Sequence, residues 1–406
     1  MKKLIAIIVI ILAAYGGFLV WHGATPADMP QTPPAAEVSG EAETGADASG
    51  ETETPPAPIR AVDMDAIRAL RDPAEEILTV EGQSVTWQAY CDLLESTCAD
   101  IQNYFTQMAA YYGVAADWEG SVGDDSGRTF ARYAVDETAE YLESVLTVRA
   151  FAAANGVTLS EEDMASLEPE ALAKASLGEE ATVEEFYDRL ESEAHMSYDT
   201  FRSMRAASLL YSKVFAELYG ENGEKISEAD AAAYLEEQGY LAAHHILLMT
   251  IDPNTGDALD EETVSAKKAR AGEIAAELQA IEDTQELLRR FTELKAELCE
   301  DSGKERFPDG YTFQPGTMVP EFEDTVRGQK EYEVSDPVET AYGYHVIMRL
   351  PLRGDAQLST LQGNSTTARQ ELAQKRITEA LDAFQTEHPA QYAEGVEDFD
   401  LTKFIH

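Results

Sequence analysis

The chain has 406 residues, which is long enough for two to three domains with a sizeable hydrophobic core. Its 76 acidic residues against 30 basic ones give a formal net charge of −46. This charge argues against a nucleic-acid-binding protein and against electrostatic docking on anionic lipid. Three cysteines are too few for a disulfide-rich scaffold or a cysteine-rich zinc module.

The first predicted element is an apolar transmembrane helix or signal anchor within residues 1–23. Residues 4–21 carry no charge, and as a helix they would be about 27 Å long, enough to cross a hydrocarbon core. Lys2 and Lys3 precede this segment, so we expect a single-pass protein of the cell membrane with the bulk of the chain outside. The alternative is a cleaved signal peptide, which would leave a secreted protein.

Residues 24–60 are rich in Pro, Ala, Glu and Thr and offer almost nothing to bury. They contain seven acidic residues, and Arg60 is the one basic residue. Such a composition predicts a disordered acidic linker that holds the folded part away from the membrane.

Residues 61–237 are predicted to be helical, with little strand signal. Apolar residues recur at helical spacing, and Ser160 with Asp163 and Ser227 with Asp230 have the spacing of helix N-caps. Over residues 61–240 there are 37 acidic and 11 basic residues, so the exposed faces are strongly negative. The helices either form a simple bundle or line a groove that holds partly unfolded chains.

The pattern of residues 238–352 predicts both strands and helices. Residues 241–250 form a predicted buried strand on which His244 and His245 point to opposite faces. Two helices follow, then a turn-rich stretch, and the region closes with a strand over residues 344–350. After that strand, residues 353–406 return to helix and end in a short tail.

Three motifs in this region occur in a specific order. The first is Ala243-x-His245-Ile246-Leu247, the second is Gly316-x-Met318-Val319-Pro320-Glu321-Phe322-Glu323, and the third is Ser335-x-Pro337-Val338-x-Thr340-x-x-Gly343-Tyr344-His345-Val346-Ile347. In order and spacing, residues 240–351 resemble a parvulin-type (PpiC, rotamase) peptidyl-prolyl isomerase domain. The helical region before it looks like the chaperone domain of PrsA/SurA-type foldases, with residues 353–406 as the C-terminal helix that completes that domain.

The resemblance implies a role for particular residues. It assigns His245 and His345 to a hydrogen-bonded pair behind the catalytic cleft, Thr340 to a bond with that pair, and Asp301 to the position that faces the substrate imide. It also implies an apolar proline pocket formed by Met318 and Phe322, with Phe313 nearby. In the family a leucine lines this pocket, whereas this chain has Gly310 at that position, and we expect Tyr311 to replace the leucine.

These residues also allow other interpretations. A histidine on an apolar strand face is often a core residue whose polar atoms are satisfied, and His245 with His345 could mainly hold the fold together. A metal site is disfavoured because adjacent strand histidines point to opposite faces. No base is placed beside Cys299, which argues against a thiol nucleophile there.

We therefore expect an α+β protein: a mainly helical chaperone domain with an inserted parvulin domain, whose small antiparallel sheet is flanked by helices, after an N-terminal transmembrane helix. The expected function is peptidyl-prolyl cis/trans isomerisation and chaperone assistance for exported proteins. Its expected partners are unfolded exported polypeptides with X–Pro bonds and, through residues 4–21, the cytoplasmic membrane. No metal or organic cofactor is implied. The alternative is a non-catalytic holdase, or binding module, with a degenerate parvulin domain.

Overall fold

The fold is described from a computed structural model, which covers residues 59–112, 116–123, 126–359 and 366–406. The predicted N-terminal segment 1–23 and most of the predicted linker lie outside the described residues. Within these four ranges, no helix combines the length and the apolar character needed to cross a membrane.

Helices make up about half of the described chain, and strands, turns and loops make up the remainder. The helices are α1 Met64–Arg68, α2 Trp87–Tyr112, α3 Phe130–Ala154, α4 Glu161–Ser166, α5 Pro169–Leu177, α6 Val183–Ser192, α7 Tyr198–Tyr219, α8 Glu228–Glu237, α9 Glu261–Gln279, α10 Thr284–Leu298, α11 Pro320–Gly328 and α12 Ala368–Glu387. The strands are β1 Glu76–Val80, β2 Gln83–Thr86, β3 Leu241–Met249, β4 Tyr311–Phe313, β5 Val338–Thr340, β6 Gly343–Leu350, β7 Leu358–Ser359 and β8 Gln391–Tyr392. The expected α+β class is confirmed.

The chain divides into two compact units. Unit 1 consists of the described residues up to Val214 together with Thr378–His406, and unit 2 consists of Phe215–Ile377. The boundaries between the units fall inside α7 and α12. The predicted domain boundaries at 237/238 and 352/353 stay a prediction.

Unit 1 contains a three-stranded antiparallel sheet in the order β2-β1-β8. The prediction of little strand structure in residues 61–237 was therefore wrong for the β1–β2 hairpin. Its two-residue turn places Glu81 and Gly82 at φ values of 46° and 75°, the pair of positive angles that matches the twist of a hairpin. The hairpin was missed because its strands are only five and four residues long and its turn is Glu-Gly, not the more telling Asn-Gly or Asp-Gly.

The core of unit 1 joins its N-terminal helices to the C-terminal segment of the chain. Trp87 in α2 packs against Phe399, and Phe151 in α3 packs against Phe384 in α12. The last two residues of the predicted linker belong to this folded unit. Ile59 packs on the core, and the Arg60 carbonyl accepts a hydrogen bond from the indole of Trp118, so the prediction of disorder was wrong at this end.

Unit 2 is built on a five-stranded sheet in the order β5-β6-β3-β4-β7. All of its pairs are antiparallel except β4 with β7, so the sheet is mixed and not wholly antiparallel as predicted. The central strand β3 is buried along nearly its whole length, as expected for a run of apolar residues covered on both faces. Residues of α9 and α10 pack on one face, and α11 packs on the other with Phe322 and Val326.

Candidate functional site

The two histidine strands bring His245 and His345 to the same face of the sheet. In the antiparallel register, His245 lies opposite Ile347, and Leu247 lies opposite His345. The two imidazole rings meet edge to face, with 5.3 Å between their centroids. Both rings also contact the ring of Phe322 from α11, at 5.3 and 5.6 Å. The histidines are thus held in the interior, with 7% and 5% of their surfaces exposed.

Asp301 connects this pair to the surface. It follows α10 and caps a short 3₁₀ turn, in which the Gly303 amide donates to its Oδ1 at 3.0 Å. Its Oδ2 accepts the Tyr311 hydroxyl at 2.6 Å and lies 3.3 Å from Nε2 of His245. The side chain of Asp301 is 19% exposed, so it remains partly accessible to solvent while it holds these three contacts.

The charges of this pair follow from those contacts. Burial raises the pKa of Asp301, but the hydrogen bonds from His245, Tyr311 and Gly303 outweigh it and bring the pKa well below its usual range. Burial lowers the pKa of His245, but its bond to Asp301 and the nearby Cys299 outweigh it and raise the pKa above the ordinary value. Both shifts favour the charged forms, an ionised Asp301 beside a protonated His245.

His345 differs in charge from its neighbour. Burial, together with the positive charge of His245, lowers the pKa of His345 to about 3, so this ring is neutral at physiological pH. Its Nε2 lies 2.9 Å from Oγ1 of Thr340, which also accepts the Tyr342 amide. Among the described residues, the Nδ1 atoms of His245 and His345 have no hydrogen-bond partner. The expected hydrogen bond between the two histidines is therefore not formed, and their rings contact each other edge to face instead.

The predicted pocket residues form one apolar cluster on the same face. Phe313 on β4 is fully buried and Phe322 is 2% exposed, so both lie on the interior side of the site. Met318 and Tyr311 are partly exposed and pack on this cluster. The ring of Tyr311 stacks on His245 with 5.4 Å between centroids. Tyr311 therefore belongs to both the apolar cluster and the polar network around Asp301.

Gly310 explains why no leucine occupies its position. Its φ of +101° is one that side chains with a Cβ rarely adopt. A Cβ placed there would also lie 2.8 Å from the Ala243 carbonyl oxygen and 2.9 Å from Cδ1 of Leu350. The backbone at this point runs directly against β3, so a side chain fits at Tyr311 but not at Gly310.

Some functional neighbours were missed or undervalued in the sequence. Phe307 packs on Tyr311 with 4.6 Å between ring centroids. Lys295 is buried beneath the same loop, although a lysine on a helix is normally assigned to the surface. Cys299 lies beside β3, where its Sγ accepts the Leu247 amide at 3.4 Å. Burial raises the pKa of this thiol, but His245 and the Leu247 amide outweigh it and lower the pKa.

All eight residues predicted for the site lie in unit 2 and in this connected network. His244 lies on the other side of the sheet, where its ring contacts Phe291 of α10 at 5.6 Å. In the described part of the chain, no three histidines, cysteines or carboxylates are grouped so that they could hold a metal ion.

Comparison with known proteins agrees with this geometry. Residues 245–350 match the family model of the PPIC-type PPIase domain, or rotamase. The chain is 34% identical over 93 residues to "Foldase protein PrsA 1" of Bacillus cereus, covering 23% of this chain and 32% of that protein. It is 31% identical over 180 residues to "Foldase protein PrsA" of Halalkalibacterium halodurans, covering 43% and 46%.

A second group of relatives carries another name. The chain is 32% identical over 117 residues to "Chaperone SurA" of Burkholderia thailandensis, covering 27% of this chain and 26% of that protein. In each case the match spans less than half of the relative's length. The predicted resemblance to PPIC-type peptidyl-prolyl isomerases, and to PrsA and SurA proteins, is therefore confirmed, with the match to the domain family confined to residues 245–350.

Proposed function

We propose that this chain is a foldase, which catalyses cis/trans isomerisation of X–Pro bonds and chaperones exported proteins outside the cytoplasmic membrane. The observation that carries the proposal is the position of Tyr311. Its ring, like Met318, packs against the apolar cluster, and its hydroxyl donates to the carboxylate of Asp301. An apolar seat for a proline ring thus lies directly beside a fixed negative charge.

Isomerisation requires no covalent step. The barrier to rotation about the amide bond is about 18–20 kcal/mol, and uncatalysed X–Pro isomerisation takes tens to hundreds of seconds. As the amide twists, conjugation is lost and its carbonyl oxygen becomes less negative. A carboxylate held beside that oxygen disfavours the planar amide more than the twisted one, and this difference accelerates the reaction.

The side chains divide into those that reach substrate and those that position them. Met318, Tyr311 and Asp301 are partly exposed and would contact the proline ring and its amide. His245 orients Asp301, and His345 with Thr340 supports His245 from the interior. Phe313 and Phe322 form the buried floor of the pocket.

The chaperone part of the proposal assigns the binding of unfolded clients to unit 1. It rests on the similarity to PrsA and SurA proteins and on the excess of acidic residues in the helical region, which keeps a client-binding surface soluble. Residues 4–21, which carry no charge after Lys2 and Lys3, support a single-pass membrane location, or secretion if they are cleaved.

The test is catalysis by the full chain. Isomerisation of a proline tetrapeptide is measured for the wild type, Asp301→Ala and Met318→Ala, with the exposed Asp257→Ala of the same unit as the matched control. We expect acceleration by the wild type and the control, and strong loss in the other two. No acceleration by a folded wild type would refute the isomerase.

A second function, a non-catalytic holdase, is favoured by one observation. Gly310 stands where the family has a leucine, and the backbone there leaves no room for one. In that case the wild type would suppress aggregation of unfolded clients but would not accelerate isomerisation, and Asp301→Ala would leave suppression unchanged.

A further inference from the structure

Lys295 lies on the buried stripe of α10 together with Leu287, Phe291 and Leu294, and only 5% of its surface is exposed. Its ammonium group donates to the Phe307 carbonyl at 2.8 Å and to the Pro308 carbonyl at 3.1 Å. The third neighbour is Nδ1 of His244, at 3.4 Å. An ammonium has three protons, so these three acceptors can satisfy it completely.

His244 is suited to accept this bond. Burial, with the charges of Lys295 and His245, lowers the pKa of His244 to about 3, so its ring is neutral and one nitrogen carries a free lone pair. Since an ammonium can only donate, that nitrogen is Nδ1. A buried lysine is costly unless it is fully hydrogen-bonded, and here the bonds come from two backbone carbonyls and one neutral histidine.

Both carbonyls belong to the turn that leads into β4. The ring of Phe307 packs on Tyr311, and Gly310 passes against the Ala243 carbonyl of β3. The next residue, Tyr311, then directs its hydroxyl to Asp301. The hydrogen bonds from Lys295 therefore fix the start of the 307–310 turn, and Tyr311 follows directly after that turn.

We propose that Lys295, with His244 as its third acceptor, is a positioning residue that holds the 307–310 turn so that Tyr311 reaches Asp301. The proposal rests on the proposed isomerase function, and it adds to the site a pair of residues from the opposite face of the sheet. A lysine suits this task because one group bridges two successive carbonyls with charge-assisted hydrogen bonds.

The test compares two lysine variants of the full chain. Lys295→Met keeps the length of the side chain and removes its donors, whereas Lys330→Met removes an exposed lysine of the same unit. We expect Lys295→Met to lower kcat/KM for a proline tetrapeptide about tenfold or more, mainly through kcat, because the binding pocket for the substrate remains. Hydrogen exchange of residues 307–313 should accelerate, while Lys330→Met should change neither measurement.

A double-mutant cycle separates positioning from general damage. Tyr311→Phe removes the hydroxyl that Lys295 is proposed to position, so Lys295→Met should cost little further activity when Tyr311→Phe is already present. Independent, multiplying losses would overturn the proposal, as would unchanged exchange of residues 307–313 in Lys295→Met. If Lys295→Met does not fold, Lys295→Gln, which keeps two N–H donors on a shorter stem, is measured in the same way and should show intermediate losses.

The two proposals fail separately. A folded wild type that does not accelerate isomerisation refutes the proposed function. Exchange of residues 307–313 then still decides whether Lys295 holds the turn: faster exchange in the variant supports that contact, and unchanged exchange excludes it.

Discussion

The two units bury polar groups in different ways. In unit 1, Asp92 of α2 is 1% exposed, and its carboxylate accepts hydrogen bonds from Arg68, Gln88, Ser197 and Thr200. In unit 2, the buried polar groups include His244, His245, His345 and Lys295. Unit 1 pairs its buried carboxylate with an arginine and neutral donors, whereas unit 2 buries groups that can change their charge.

This difference indicates what each arrangement is for. Asp92 joins the start of α7 to α1 and α2 with every oxygen engaged, so it contributes to stability and has no free side for a ligand. Asp301 has a comparable set of donors but keeps a partly open face. A buried carboxylate with all of its positions occupied supports the fold, and a partly open one is available for chemistry.

The largest expected effect is a selective loss of stability of unit 2 in acid. The pKa values of His244 and His345 are lowered to about 3, so below about pH 6.5 these rings bind protons only when unfolded. Each should then remove about 1.4 kcal/mol of stability per pH unit as the pH falls from 6.5 towards 3. The raised pKa of His245 acts in a different pH range. Its contribution to stability is complete below pH 6.5 and is lost as the pH rises through the pKa of the folded state.

Hydrogen exchange from pH 6.5 to 5 measures this effect in the two units separately. The opening free energy of β3 amides in unit 2 should fall steeply, and that of α3 amides in unit 1 should change little, since none of the described histidines of unit 1 is buried. His345→Gln should halve the pH dependence of the opening free energy of β3, whatever its effect on absolute stability. Equal slopes in β3 and α3 would contradict the comparison.

Asp92→Ala should destabilise unit 1 by about 3–5 kcal/mol, because it leaves Arg68, Ser197 and Thr200 without their buried partner. Urea unfolding followed by tryptophan fluorescence reports on this unit, in which Trp87 and Trp118 are buried. The isomerase activity of the folded fraction should be unchanged. A loss below about 1 kcal/mol would mean that the network is not the main support of this region.

Asp301→Asn should have the opposite effect to Asp92→Ala, with a large loss of activity and a smaller loss of stability. It keeps the shape of the side chain and removes its charge, so we expect kcat/KM to fall by about ten- to a hundredfold. The cost in stability should be smaller than for Asp92→Ala, since one face of the carboxylate is already open to solvent. Asp257→Asn, at an exposed aspartate of the same unit, is the matched control, and equal activity losses in the two variants would count against a specific role of Asp301.

The sequence supports the prediction of this site better than that of its surroundings. His245, His345, Met318 and Phe322 were predictable because their motifs resemble those of the parvulin family in order and spacing. The role of Lys295 was not predictable, because helical periodicity assigns charged residues to the surface. It cannot show that two backbone carbonyls and a histidine in the interior accept hydrogen bonds from this lysine. The parallel pairing of β4 with β7 depends on two short strands distant in the chain, and no local pattern encodes it.

The smallest expected effect is one in which the two units should not differ. Thr129 caps α3 in unit 1 by accepting the Arg132 amide, and Ser227 caps α8 in unit 2 by accepting the Asp230 amide. Helix capping is a local interaction, so Thr129→Ala and Ser227→Ala should each cost about 1 kcal/mol, measured by hydrogen exchange within the affected helix. Neither cap touches a group that titrates on a buried face, so neither variant should alter the pH dependence of its unit. A change in the acid sensitivity of β3 in Ser227→Ala would show that unit 2 is destabilised in acid through its helices and not through His244 and His345.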